Sequence, residues 1–398
     1  MIKSDTLDAR VCMVVNQDYF SDTRVISYAN ALANVGAQVD VIASQQKSRQ
    51  ATNQHSNIRI HTIPIARNYS NSIGYILNYC LSILLFTIYT AFFFFRSRYH
   101  VIHIHNMPDA LIIAAIIPKL LGSKVFLDIH DPMPEFFMSK YKKGADSIFV
   151  KMLKAQERIS SRLADEIITA NPLFKQRLSQ RGIPSEKVLV INNIPNPKTF
   201  NRQGAKLEKH NLSKKFALVY PGTIAPRYCL DIPILALPRL RKEIPNIQLN
   251  IIGKHTQYYD KLAQLADQLS VSKYINKMPL LPAELVAQEI AKADIGIYTA
   301  LPDPHMSIAM PGKVLEYATM GIPIIASRLP ILKAFFDDSA ILFFTPGDID
   351  EFISHVLRLH YDQNLKGKLV ANADKCFTDK YLWKDEFKQY TNKIHLLC

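Results

Sequence analysis

The chain has 398 residues, 48% of them apolar and 21% charged; at roughly 150 residues per domain this predicts two or three domains and excludes wholesale disorder. Lys and Arg outnumber Asp and Glu by 48 to 34, a formal charge of +14 that favours anionic partners: nucleic acid, phosphorylated metabolites or acidic lipid heads. Glycine is scarce at 13 residues, and neither G-x-G-x-x-G nor G-x-x-x-x-G-K-[ST] occurs, which argues against an ordinary dinucleotide dehydrogenase or P-loop kinase.

The five cysteines, Cys12, Cys80, Cys229, Cys376 and Cys398, are scattered without a C-x-x-C, the usage of a reduced cytoplasmic chain. The stretch Met1 to Arg10 is polar and lacks a signal-peptide apolar run, so a cytosolic-side protein is expected.

Short apolar runs alternate with helix-length amphipathic segments, the rhythm of parallel sheets covered by helices, and the fold class read from it is α/β. In the first half the predicted strands are Val11–Val15, Val39–Ile42, Ile58–Ile63, Val101–His105, Val125–Ile129, Glu166–Thr169 and Val188–Ile191. In the second they are Ala217–Tyr220, Gln248–Ile252, Ile295–Tyr298, Pro323–Ala326 and Ala340–Phe343. Pro195 to Lys215 lacks apolar periodicity and reads as a linker. After Asp374 a last helix is expected to carry Tyr381, Leu382, Trp383, Phe387 and Tyr390 on a docking face.

Ile73 to Phe95 carries no charge and is long enough, at ~1.5 Å per residue, to cross ~30 Å of hydrocarbon. It lies between two predicted strands that a single span would place on opposite sides of a bilayer, and Arg96 and Arg98 follow it. It is read first as a helix resting partly in the membrane interface, with a protein-buried helix and a true span as the alternatives.

The most informative stretch runs from Pro311 through Gly312, Lys313, Glu316, Tyr317 and Gly321 to Ala326. Pro311 suits a first helical turn and Gly321 a C-terminal cap. A helix that starts after a strand end presents free N–H groups and a positive dipole end, an anion site. Lys313 and Glu316, three apart, share a face, so Lys313 could hold a diphosphate while Glu316 accepts from a ribose diol. A surface ion pair is the plainer alternative.

This stretch resembles the P-x-K-x-x-E-Y-x-x-x-G-x-P-[VI]-[VI]-A signature of bacterial family-four glycosyltransferases, used in exopolysaccharide, O-antigen (lipopolysaccharide) or capsule synthesis. Other blocks follow in family order: Ser21 to Val25, Val101 to Asp109, Leu127 to Glu135, Glu166 to Asn171, Lys187 to Asn193 and Tyr220 to Arg227. The resemblance implies the GT-B fold: two Rossmann-like domains facing across a cleft, with the C-terminal helix crossing back to the first. It implies an N-terminal acceptor-side domain (1–200), a linker (201–215), a nucleotide-sugar donor domain (216–375) and the returning helix (376–398).

It also implies residue roles. His130, Arg227 and Lys313 are the catalytic candidates, His130 facing the transferred sugar and the two cations the donor diphosphate. Gly222, Thr223, Gly253, Met310, Pro311, Gly312 and Glu316 join Arg227 and Lys313 in holding the donor, with Glu316 on the ribose. Asp22, Arg24, Asn106, Asp109, Asp131 and Glu135 fall on the acceptor side. The implied reaction moves a sugar from a nucleotide-diphosphate sugar to a lipid-linked saccharide with retention, without metal or cofactor, at the inner face of the cell membrane. Two positions depart from the family: Ile308 stands where the first Glu of an E-x7-E pattern would be, and Cys229 where relatives usually have glycine.

Other readings compete. His103 and His105, two apart on a strand, with Asp109 and then His130 and Asp131, form a set able to ligate zinc in a hydrolase. A nucleotide-sugar epimerase would use similar paired domains. Basic residues from Lys140 to Arg162 lack the interleaved aromatics of a nucleic-acid surface, so no nucleic-acid partner is expected. Asp348 and Asp350 spell D-x-D, but after Pro346–Gly347 and at a helix start they read as a cap.

Overall fold

The computed structural model describes residues 7–44, 55–65, 72–204 and 215–398. Most of the expected linker, and Met1 to Thr6, lie outside them. The chain divides into two compact units, Met1–Asn193 with Lys384–Cys398, and Ile194–Trp383. The exchanges fall at 193/194 and 383/384, against the sequence boundaries at 200 and 376.

In the first unit seven strands form one parallel sheet, β1 (Arg10–Val15), β2 (Gln38–Ser44), β3 (Ile58–Ile63), β4 (Val101–His105), β5 (Lys124–Ile129), β6 (Glu166–Thr169) and β7 (Val188–Val190), in the order 3-2-1-4-5-6-7. Its central strands are continuous apolar runs because both faces are covered; every residue of β4 is buried, as is every residue of β1 after Arg10. The order reverses between β1 and β4, so the loops leaving those two strands diverge and open a crevice at their carboxyl ends. That crevice is bordered by α1 (Thr23–Asn34), which Asp22 starts by accepting from the Arg24 and Val25 amides at 3.1 Å.

α2 (Ser72–Ser97) connects β3 to β4. Ser82, Phe86, Thr90 and Phe94 recur at helical spacing and are buried, while Leu77, Leu81, Leu84, Ile88, Phe92 and Phe95 are each at least half exposed. Leu77–Ser97 is long and apolar enough to cross a membrane, yet β3 and β4 belong to the same sheet, which a crossing α2 would forbid. Beyond β4 come a 3-10 turn (Asp109–Ala115), α3 (Ile116–Leu120), α4 (Met133–Tyr141), α5 (Ile148–Leu163) and α6 (Pro172–Gln180).

The second unit repeats the plan with six parallel strands, β8 (Phe216–Pro221), β9 (Ile247–Ile252), β10 (Ile275–Met278), β11 (Ile295–Tyr298), β12 (Ile324–Ser327) and β13 (Leu342–Phe344), in the order 10-9-8-11-12-13. Its switch point lies between β8 and β11. Its helices are α7 (Asp231–Glu243), α8 (Gln257–Gln268), α9 (Ala283–Lys292), α10 (Gly312–Met320), α11 (Pro330–Lys333), α12 (Ile349–Tyr361) and α13 (Gln363–Ala373).

Three expectations need correction. β10 was not expected; it is an edge strand whose Asn276 and Lys277 break the apolar run, while its backbone still pairs with β9. The strand expected at 340–343 starts at Leu342. The last helix is not continuous from Asp374: a wide turn (Asp374–Thr378) precedes a break, and α14 (Trp383–His395) follows. Its buried face is therefore Phe387, Tyr390 and Ile394, while Leu382 is half exposed and Tyr381 packs on Phe335 and Phe377 of the second unit.

Residues from Lys384 dock in the first unit. The Tyr390 ring packs at a tilt against Tyr28, centre to centre 4.5 Å, and its hydroxyl meets His103 Nδ1 at 2.9 Å. Glu386 accepts from the Asn192 amide at 2.7 Å and from its side chain at 2.9 Å.

Candidate functional site

In the second unit the switch-point loops bring together Gly222, Arg227, Lys313 and Glu316. Tyr317 sets the height of α10: its hydroxyl donates to the Val219 and Ile297 carbonyls at 3.1 and 3.2 Å, bridging β8 and β11. Its ring occupies the space a side chain at Gly296 would need. At the other end Gly321, with φ +69°, terminates α10 in the left-handed region, and Arg202 donates to the Ala318 and Thr319 carbonyls at 2.6 and 3.1 Å. Pro311 precedes the first turn without capping it through a side chain, so amides at that end remain for an anion.

Lys313 is half-buried, and its ammonium lies 4.9 Å from the ring centres of Tyr220 and Tyr228 and 5.3 Å from that of Tyr298. Burial lowers its pKa to about 8, with Glu316 pulling the other way. Burial raises Glu316 to about 7 against the attraction of Lys313. Gly222, at φ +131°, leaves room that a Cβ would take within 3.1 Å of Lys313 Cε. Gly253 closes on the Gly222 carbonyl, where a side chain would collide.

Arg227 is held by Asp303 at 2.9 Å, and the same Asp303 carboxylate accepts from the His305 and Met306 amides at 2.9 and 2.7 Å. Cys229 adopts φ +45°, which explains why glycine suits that position; its buried thiol donates to the Pro226 carbonyl at 3.3 Å, and burial pushes its pKa up to about 11. Thr223 is exposed, with its carbonyl taken by Tyr220 Oη at 2.8 Å, and Met310, Pro311 and Gly312 are half-buried along the approach to α10. Ile308, in place of the carboxylate of the E-x7-E pattern, is buried.

In the first unit Asp128, at the end of β5, is fully buried. Arg24 grips it through Nε and a terminal nitrogen at 2.9 and 3.0 Å and also donates to the Ile191 carbonyl at 3.0 Å. Burial alone would raise the Asp128 pKa, but Arg24 and His105 hold it well below the carboxylate range. His130 Nδ1 stands 3.6 Å from the same carboxylate; burial opposes its charge, but Asp128 outweighs that and raises its pKa. Asn106 joins the loops, donating to Asp109 at 3.0 Å and to the Asp131 carbonyl at 2.8 Å and accepting from the His130 amide at 3.2 Å.

Burial separates the acceptor-side candidates. Asp22, Arg24, Asn106, Asp109 and Glu135 are buried, whereas Asp131 is half-buried, as is the catalytic candidate His130, whose side chain is 20% exposed. Asp22 caps a helix, Arg24 neutralises Asp128, and Glu135 pairs with Arg181, which also binds Glu157 at 2.7 and 2.8 Å. Burial pushes Asp109 up to about 6, against the Asn106 hydrogen bond.

The proposed zinc set does not assemble as expected. His103 and His105 converge with Asp128, not with Asp109. Asp128 already binds Arg24, whose positive charge opposes a dication beside it, and the carboxylate of Asp109 accepts from Asn106. The D-x-D is a cap: Asp348 accepts from the Glu351 amide at 2.9 Å and Asp350 pairs with Arg239.

Sequence inspection missed Tyr220, Tyr228 and Tyr298 around Lys313, Asp303 beside Arg227, and Asp128 beneath His130. Tyr220 and Tyr298 close predicted strands at the switch point, and that placement is the signal that could have found them.

Two parallel units, each with polar loops at its switch point, define the class: two-domain α/β enzymes of the GT-B fold. Within it the chain belongs to the family-four glycosyltransferases; the Glycosyltransferase Family 4 model matches residues 22–197 and the Glycosyl transferases group 1 model matches 215–362. It is 29% identical over 126 residues to a GDP-mannose-dependent alpha-(1-6)-phosphatidylinositol monomannoside mannosyltransferase of Mycolicibacterium smegmatis, 30% of this chain and 32% of that one. It is 24% identical over 304 residues to a chitobiosyldiphosphodolichol beta-mannosyltransferase of Debaryomyces hansenii, 69% of this chain and 63% of that one. The chain thus spans under two thirds of the length of these curated relatives. Sucrose-phosphate synthase from Thermosynechococcus elongatus shares its fold at TM-score 0.77 and 15% identity, covering 98% of this chain and 99% of that one. Anabaena HepE in complex with UDP and glucose does so at TM-score 0.69 and 15% identity, covering 96% and 98%.

Proposed function

We propose that the protein transfers a sugar from a nucleoside-diphosphate sugar bound in the second unit to a lipid-linked saccharide, with retention and without a metal, as a peripheral protein on the cytoplasmic side of the membrane. The carrying observation is Lys313, held among three tyrosines at the start of α10 with Glu316 one turn on. Losing a nucleoside diphosphate builds negative charge on the leaving phosphates as the sugar becomes oxocarbenium-like. Lys313, Arg227 and the amides opening α10 supply fixed positive groups for it, and the Glu316 carboxylate suits a ribose diol. His130, half-buried and biased toward its charged form by Asp128, is the first unit's group assigned to the transfer step.

Support for a lipid-linked acceptor comes from the apolar stripe of α2, followed by Arg96 and Arg98. The two mannosyltransferase relatives named above act, by their names, on phosphatidylinositol- and dolichol-linked saccharides.

A panel of nucleotide sugars tested for thermal stabilisation identifies the donor, since a ligand of the native state raises apparent stability. Arg227→Ala and Glu316→Ala are each expected to abolish transfer and that stabilisation while leaving ligand-free melting unchanged. Full activity in both variants would overturn the donor assignment.

A further inference from the structure

Arg227 sits on a short 3-10 turn, Pro226–Tyr228, and a turn of that length does not by itself choose the rotamer of a long side chain. The segment leaving β11 fastens it. The Thr299 hydroxyl, fully buried, lies 2.7 and 3.0 Å from the Tyr228 and Cys229 carbonyls and shares its proton between them. The Leu301 amide donates to the Arg227 carbonyl at 3.3 Å. These bonds fix the backbone of the turn, and Asp303 then takes the side chain.

The two oxygens of Asp303 have different partners. Oδ1 accepts from the His305 and Met306 amides at 2.9 and 2.7 Å, which ties the carboxylate to the next turn, and Oδ2 accepts from Arg227 Nη2 at 2.9 Å. That next turn is anchored in its own right: Met306 is buried and its sulfur accepts from the Tyr298 hydroxyl at 3.4 Å, while the Tyr298 ring lies 5.3 Å from the Lys313 ammonium. A carboxylate fixed in this way orders the guanidinium before any ligand arrives, which lowers the entropy lost on binding. Only Nη2 is taken. Nε and Nη1 of Arg227 make no hydrogen bond to the described residues, so their donors remain for a phosphate.

We propose that Asp303 is a positioning residue, which holds the Arg227 guanidinium where charge develops on the leaving diphosphate and acts through Arg227 rather than on the donor. The proposal rests on the donor-site reading above and adds to it the group that presents one of its cations.

The test separates the two oxygens. Asp303→Asn and Asp303→Ser each keep a side-chain oxygen for the His305 and Met306 amides and remove the charged oxygen from Arg227. The full chain and both variants are titrated calorimetrically with UDP, GDP, ADP and dTDP, each against its monophosphate. The terminal phosphate that distinguishes the members of a pair is the one that carries the oxygen released from the sugar. With its favoured base the wild type is expected to prefer the diphosphate by roughly tenfold or more, the size of one charge-assisted hydrogen bond. Both variants are expected to lose most of that preference while keeping the wild-type affinity for the monophosphate and the ligand-free melting temperature.

A preference retained in full by both variants would overturn the proposal. So would tighter diphosphate binding in the variants, which would make the carboxylate a competitor of the phosphate for Arg227. A fall in monophosphate affinity as large as that for the diphosphate, or a lowered melting temperature in both variants, would leave Asp303 a purely structural residue and likewise refute it. A wild type that binds none of these nucleotides, or binds both members of every pair equally, would overturn the donor-site reading and this proposal with it, so the wild-type titrations tell the two failures apart.

Discussion

Lys313 is poised between two charge states by its surroundings, and that has a measurable consequence. Burial lowers its pKa to about 8, so in the free protein its cation is lost as pH rises through that value; Glu316, raised to about 7, loses its carboxylate as pH falls through that one. If the bound donor needs the ammonium and the carboxylate together, its affinity should peak between about pH 7 and 8 and fall on both sides. Calorimetric titration with the nucleotide sugar across that range checks it. Lys313→Met should weaken binding and flatten the alkaline limb, whereas Glu316→Gln should flatten the acid limb. A pH-independent affinity in the wild type would separate donor binding from these two groups. The pair was legible in the sequence from helical spacing; its electrostatics were not, because they come from burial, and the rings around the ammonium, Tyr220, Tyr228 and Tyr298, belong to other elements.

At the scale of elements, α14 packs residues from the C-terminal part of the chain onto the unit built from the first residues. Phe387, Tyr390 and Ile394 are buried in the first unit, and Tyr390 reaches His103 in the middle of β4. Ending the chain after Trp383 removes these side chains and exposes the surfaces they cover. At ~2 kcal/mol for each large apolar side chain the loss exceeds ~5 kcal/mol, a large part of a domain's net stability. The truncated protein is therefore expected to lose the cooperative melting of the first unit while the second still responds to the nucleotide sugar. Calorimetry with and without that ligand distinguishes the two; an unchanged first transition would deny α14 this role. α2 carries the complementary lesson. Composition alone makes it a membrane span, and only the membership of β3 and β4 in one sheet shows that it does not cross.

For the whole molecule, the positive balance and the α2 stripe together predict reversible attachment to acidic membranes. Vesicles containing phosphatidylglycerol should sediment the protein at low salt, with binding that weakens as salt rises, because the screening length shortens. Leu84→Gln/Ile88→Gln/Phe92→Gln should reduce binding by roughly tenfold or more, since each change removes apolar area from the inserted face. A wild-type protein that stays in the soluble fraction at low salt would refute the attachment.

Local pattern determined much of this protein. The apolar runs of nearly every strand, the helix between Pro311 and Gly321 and the order of the family blocks depend on residues close in the chain, so they can be read without a fold. The same holds for Lys313 and Glu316, and for Asp348 as a cap. The tertiary structure alone decided which strands neighbour one another, and hence where each switch point opens. It also decided that Arg24 is a buried counter-ion, that Asp128 rather than Asp109 joins the two histidines, and that Arg227 is held by Asp303. These are contacts across tens to hundreds of residues, and their energies depend on burial, which no stretch of sequence carries by itself.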